Sequence, residues 1–154
     1  MAQRIFCDRK WRFSEKFQDE MINATMKDYT LVNIPHTVRE TPYNYFDESA
    51  YQMISCYQKT IFAPNQWEGM VVTLTFEGIA HQGDIYVNGQ FLKHHYCGYT
   101  AVAVDVSSVL KYGSDNLITV RVDSNESLNQ PPFGYVVDYM TYGGIYRDVY
   151  FDIQ

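Results

Sequence analysis

The chain of 154 residues is the length of one domain, and its 46% hydrophobic content suffices to close a core without disulfides or a structural metal. That excludes a disordered chain, a miniature cross-linked scaffold and a multidomain enzyme within these residues. With 12 Lys+Arg against 18 Asp+Glu the net charge is −6, an acidic balance that repels phosphates, so nucleic acid is not an expected partner.

The first residues, MAQRIFCDRKWRF, carry charges but no apolar run ending in a small-residue cleavage site, so they do not read as a secretory leader. No segment approaches the roughly 18 apolar residues that cross a bilayer. Cys7, Cys56 and Cys97 are an odd number at unrelated spacings, which predicts free thiols and, with the missing leader, a cytoplasmic location. Arg12–Glu20 reads as a short helix or a loop, and Cys56–Phe62, ahead of Pro64, as a strand.

From Met70 onward the hydrophobic period is two. Val72, Leu74 and Phe76 alternate with Val71, Thr73 and Thr75; Val102, Val104 and Val106 alternate with Ala101, Ala103 and Asp105; each set predicts a half-buried strand. Between them Asn88-Gly89 joins two strand-like runs and suits the positive φ angles of a two-residue type I′ turn. Ser107–Gly113 predicts one helical or 3₁₀ turn started by Ser and stopped by Gly, after which Asn116–Val122 resumes the alternation. The 14 Tyr and 9 Phe also favour strands. Short strands without crossover helices predict an all-β fold, an antiparallel β-sandwich of jelly-roll type, spanning residues 1–154 as a single domain.

The last connection, Ser124 to Gly144, is about 20 residues long, and loops beyond about 12–15 residues are usually functional or disordered. Phe133, Tyr135, Tyr139 and Tyr142 argue against disorder, so this loop is the candidate binding surface. Tests for chemistry end negatively. There is no Gly-x-Ser-x-Gly elbow and no Gly-rich phosphate loop leading into a helix. His94, His95 and Cys97, with His81 nearby, lack the second ligand pair of a closed zinc site and read as surface and edge-strand side chains, so no metal ligands are assigned. Carboxylates are plentiful, but sequence places no pair at the separation that glycoside hydrolysis needs.

The run Asp138-Tyr-Met-Thr-Tyr-Gly-Gly-Ile-Tyr-Arg-Asp-Val149 closely resembles the signature that ends the N-terminal sugar-binding jelly-roll domain of family 2 glycoside hydrolases, which include β-galactosidases, β-glucuronidases and β-mannosidases. Further landmarks follow in the family's order: Trp11-x-Phe13, Ile34-Pro-His-Thr37, Tyr57-x-Lys59-x-x-Phe62, Val87-Asn-Gly89, His95-x-Cys97-Gly-Tyr99 and Asn116-Leu-Ile-Thr-Val120. The resemblance covers nearly the whole chain. It departs at Cys97, where the family tends to have Gly, and at Ala101-Val102, where it tends to have Pro-Phe.

The resemblance implies a galactose-binding-domain-like fold and a non-catalytic role, in a β-galactosidase-like parent whose catalytic glutamates lie in a (β/α)₈ barrel. Such a barrel takes about 250 residues by itself. On this reading the chain looks like a domain of a longer glycosidase, its partners are the downstream barrel and a β-galactoside or related glycoside, and it contributes substrate contacts without turnover of its own. The family position for an Asp that reaches sugar hydroxyls matches Asp138, and that for an Asn on an early loop matches Asn44. The resemblance implies no cofactor in this chain and leaves room for a Na or Mg ion in the full enzyme. A freestanding carbohydrate-binding module and a purely structural domain bracing the barrel are the alternatives. Arg147, on the alternation of Ile145, Val149 and Phe151, is expected to face inward and pair with a carboxylate or loop carbonyls.

Overall fold

A computed structural model describes residues 2–38, 53–96, 98, 100–125 and 143–154. The first strands are β1 (Gln3–Phe6), β2 (Trp11–Ser14), β3 (Thr30–Val32) and β4 (Ile54–Ala63). The middle of the chain adds β5 (Val72–Phe76), β6 (Ile79–Ala80), β7 (Gln82–Val87), β8 (Gln90–His95) and β9 (Val102–Asp105). The last are β10 (Ser114–Asp123), β11 (Gly144–Ile145) and β12 (Val149–Ile153).

Among the described residues these strands form a four-stranded sheet in the order β1-β12-β5-β9, a six-stranded sheet in the order β3-β2-β4-β10-β7-β8, and a small β11-β6 pair. Every pairing is antiparallel, as in a jelly-roll sandwich. The alternation read from sequence sets which side faces in. Val72, Leu74 and Phe76 of β5, Val149, Phe151 and Ile153 of β12, and Ile118, Val120 and Val122 of β10 are all buried. Each such side chain removed from water contributes about 1.5–3 kcal/mol, so the two inner faces hold the layers together. Two rings from the N-terminal half meet the four-stranded sheet: Trp11 lies 6.3 Å from Phe76 and Trp67 5.9 Å from Phe151, centroid to centroid.

The hairpin at Asn88-Gly89 has φ of 51° and 81°, the paired positive values of a type I′ turn. Two expectations need correction. Arg12–Glu20 is no helix: Trp11–Ser14 is strand β2, because Trp11 and Phe13 alternate into the core and the strand pairs with β4, and only Asp19–Ile22 makes a 3₁₀ turn. Ser107–Gly113 makes the single turn expected of it, Val106 O accepting from Val109 N and Leu110 N at 3.1 Å, but not with the expected cap. Its start is capped by Asp105, whose Oδ1 accepts from Ser107 N at 2.9 Å, while Ser107 Oγ accepts from Val72 N at 2.8 Å and ties the turn to β5 instead.

The segment containing that 3₁₀ turn lies on the outer face of the six-stranded sheet, held by one amide. Gln58, fully buried on β4, accepts from Met26 N at 2.8 Å and donates to Met21 O at 2.6 Å and Ala24 O at 2.9 Å. Buried backbone groups robbed of a partner carry desolvation penalties of about 1–3 kcal/mol each. Gln58→Leu is therefore expected to destabilise the domain by about 3 kcal/mol in urea unfolding and to expose residues 16–26 to proteolysis; a change under about 1 kcal/mol would contradict this role for the amide.

The candidate site at the end of the sandwich

Asn44 and Asp138 both lie outside the described residues, as do Cys97 and the aromatic side chains Phe133, Tyr135, Tyr139 and Tyr142. The structure does define where the segments that carry them leave and rejoin the sandwich. Val38, which opens segment 39–52, donates its N–H to Gly143 O at 3.0 Å, the residue that closes segment 126–142. At the other pair of stems, Met53 O accepts from Ser124 N at 2.9 Å and from Ser124 Oγ at 3.0 Å. The four stems of the two long segments are thus hydrogen-bonded crosswise. Asn44 stands six residues past Val38, and Asp138 five residues before Gly143.

Below the Val38–Gly143 stem sits a buried polar chain. In an antiparallel ladder, alternate residues turn their backbone groups toward and away from the partner strand. Tyr146 N donates to Gly78 O at 3.2 Å across the β11–β6 ladder, so Ile145, one residue earlier, faces the other way. Its carbonyl accepts from His36 N at 2.8 Å, which sets His36 beside the buried Tyr57 hydroxyl. That hydroxyl lies 2.6 Å from His36 Nδ1. Phe13 packs edge-on against the imidazole at 4.7 Å and beside the Tyr57 ring at 4.9 Å, so ring positions as well as hydrogen bonds are set. Gly144 fits against this group because it has no side chain: a Cβ would lie 2.6 Å from the Tyr57 oxygen and 2.9 Å from His36 O.

Burial pushes the Tyr57 hydroxyl up, so it stays protonated, and pushes His36 below its ordinary 6.5, so its ring is neutral at physiological pH. His81, buried beside this end with its N–H on Asp123 O at 3.0 Å, is also lowered by burial, against the opposing pull of Asp123. In both cases the unfolded chain takes up a proton more readily than the folded one. Their contribution to stability is therefore complete above about pH 6.5 and declines as pH falls through the depressed values. Urea midpoints at pH 7.5 and 5.5 are expected to show this decline, and His36→Asn, which cannot titrate, to make it shallower; an unchanged decline would remove His36 from the account.

Other expected groups are placed apart. The Cys7 and Cys56 thiols are free, buried and pushed up to about 12 by burial, so neither supplies a thiolate. His94 Nδ1 is bonded to Asp84 and its Nε2 lies 2.9 Å from Gln82 Oε1, whereas His95 Nε2 lies 3.0 Å from Thr100 O. The neighbours in sequence thus have separate partners, and no group of three metal-binding side chains converges among the described residues. Arg147 does not face inward. It falls in the bend between β11 and β12, where the period of two is interrupted, and is exposed with its guanidinium 5.4 Å from the Tyr146 ring centre. Tyr146 makes the inward contact there, its hydroxyl donating to Gly98 O.

The family model described as "Glycosyl hydrolases family 2, sugar binding domain" matches residues 9–152. The chain belongs to this family. A β-galactosidase of Thermoanaerobacterium thermosulfurigenes is 36% identical over 97% of the chain, and one of Thermoanaerobacter pseudethanolicus is 40% identical over 82%. A β-glucuronidase of Bacteroides fragilis is 30% identical over 96%. The chain covers only 21%, 17% and 20% of these relatives, so it spans about a fifth of their length. Among solved structures, Bacteroides uniformis β-glucuronidase 2 superposes with a TM-score of 0.87 over 99% of the chain and 18% of its own, at 24% identity, which speaks for the fold of this sugar-binding domain alone.

Sequence reasoning had placed His36 and Tyr57 in this family's landmark motifs without joining them. Their contact links positions 21 apart with each other and with Ile145 far along the chain, and only the conjunction of two motif polar residues with a Gly-Gly pair hinted at it.

Proposed function

We propose that the chain is a non-catalytic substrate-contact domain of a β-galactosidase-like enzyme. In this reading Asp138, with Asn44 as a second contact, presents its side chain to sugar hydroxyls in a site that a (β/α)₈ barrel elsewhere in the protein completes. The observation that carries the reading is the crosswise bonding of stems, Val38 to Gly143 and Met53 to Ser124, which anchors the segments bearing both residues at one end of the sandwich. A carboxylate there accepts hydrogen bonds from adjacent hydroxyls, and an amide both donates and accepts. The relatives at 36% and 40% identity are named β-galactosidases, which favours a β-galactoside, and their greater length accommodates the barrel.

Half a site offers too few contacts to offset the freedom a ligand loses on binding. The isolated chain is therefore expected to hydrolyse no chromogenic galactoside and to bind lactose or galactose no more tightly than the millimolar range in titration calorimetry. Micromolar binding by the chain alone would identify a freestanding carbohydrate-binding module instead, and turnover by it would end the proposal.

A further inference from the structure

We propose that Asp8 and Asp148 form an acid-closed latch. Their two carboxyl groups share a hydrogen bond when the pair holds one proton and repel each other when both are ionised, so the turn after β1 and the bend before β12 are tied more firmly in acid than at neutral pH.

The latch sits where three connections meet. Asp8 follows β1, Glu77 follows β5 and Asp148 precedes β12. Val149 N donates to Asp8 Oδ1 at 2.8 Å, Glu77 N to Asp148 O at 3.0 Å, and Cys7 N to Val149 O at 2.9 Å. The first of these bonds aims the Asp8 carboxyl at the peptide between Asp148 and Val149, and the two carboxyl groups come within hydrogen-bonding reach of each other. An ionised carboxylate only accepts, so that contact is a bond only when one of the two carries a proton.

Nothing among the described residues supplies an opposite charge in place of the proton. Glu77 adds a third carboxylate, and Cys7 is a buried thiol pushed up to about 12, hence neutral. Arg4 is paired with Asp152 at 2.8 Å, Lys59 Nζ donates to Arg9 O, Arg147 lies over the Tyr146 ring, and Arg9 and Lys10 are exposed. Burial raises the Asp8 carboxyl above its ordinary 3.8, Asp148 and Glu77 raise it further, and the Val149 N–H acts the other way. Two carboxyls this close take up their protons as a pair.

The folded chain therefore binds a proton here more readily than the unfolded chain. The stability contributed by the latch is complete below about pH 3.8 and is lost as pH rises through the raised value, the reverse of the effect at His36 and His81. Asp8 O also accepts from Ile34 N at 2.6 Å, four residues before Val38, and Asp148 stands five residues past Gly143. The latch thus braces both runs of chain that lead to the bonded stems.

Two measurements on the 154-residue chain test this. In ¹³C-carboxyl spectra followed from neutral to acid pH, the pair is expected to show one protonation step above 3.8, and Asp148→Asn, whose amide donates to the Asp8 carboxylate, to bring the Asp8 step down. Both carboxyls titrating at or below 3.8 would overturn the latch. In urea unfolding, Asp8→Asn still accepts from Val149 N through its amide oxygen while its Nδ2 donates to Asp148 without a shared proton. Its midpoint is expected to rise by about 0.5 M at pH 7.5, a gain that disappears by pH 4. Asp8→Ala, which leaves Val149 N without its acceptor, is expected to lose stability at both pH values, and Glu77→Gln, which removes charge without adding a bond, to gain less than Asp8→Asn. Equal gains in Asp8→Asn and either of these variants would show plain relief of charge repulsion and overturn the latch. So would the absence of a gain in Asp8→Asn at pH 7.5, or one that persists undiminished at pH 4.

Discussion

Gly144→Ala is expected to destabilise the domain by about 4 kcal/mol, the largest effect of any single methyl group at this end of the sandwich. Two causes add. Gly144 has φ of +113°, where a side chain strains the backbone by about 1–3 kcal/mol. The new Cβ would also stand 2.6 Å from the Tyr57 oxygen, 2.9 Å from His36 O and 3.3 Å from Val38 N, and overpacking of that kind costs about 1–3 kcal/mol more. The neighbours have little freedom to retreat, since His36 and Val38 are bonded through their backbones to Ile145 and Gly143, and Tyr57 is bonded to His36. Gly69 supplies the control: its φ is +85°, but nothing lies within 4 Å of its Cβ position, so Gly69→Ala isolates the backbone strain. Urea unfolding of both variants separates the causes, and equal losses would mean that the close packing around Gly144 contributes nothing.

Asp138→Ala in the full-length enzyme is expected to lower kcat/KM by about 10²–10⁴. A carboxylate gripping two adjacent hydroxyls makes two charge-assisted hydrogen bonds of about 1.5–3 kcal/mol each, and every 1.36 kcal/mol is a factor of ten in rate. Asn44→Ala, which removes a neutral partner worth about 1 kcal/mol, is expected to lower kcat/KM only about fivefold. The order of the two effects is as informative as their size. Steady-state kinetics with a chromogenic β-galactoside reads both, and wild-type values for the Asp138 variant would remove the residue from the site.

The strands were legible where burial on one face imposes a period of two. Val72, Leu74 and Phe76 read correctly because each contacts the core independently of its partner strand, and Asn88-Gly89 read correctly because a type I′ turn makes its demand on two adjacent residues. Arg12–Glu20 misled because β2 is only four residues long, too short to display a period before the chain turns into a 3₁₀ segment. Arg147 misled for a related reason: alternation was extended through a bend that interrupts it. The contact between His36 and Tyr57 had no local signal at all, since it depends on where the Ile145 carbonyl holds the His36 backbone, and that is set by the β11–β6 ladder.

By itself, then, the amino-acid sequence determined the class of fold, the family and the two side chains proposed to touch sugar, because these are written in local patterns: alternation, turn residues and a short signature around Gly143-Gly144. Only the tertiary structure decided that the stems of the two long segments meet, that Gly144 has no room for a side chain, and that the Tyr57 hydroxyl stands against His36 Nδ1. Those are properties of groups brought within about 3 Å by chain folding, where hydrogen-bond direction and steric exclusion act and sequence distance does not.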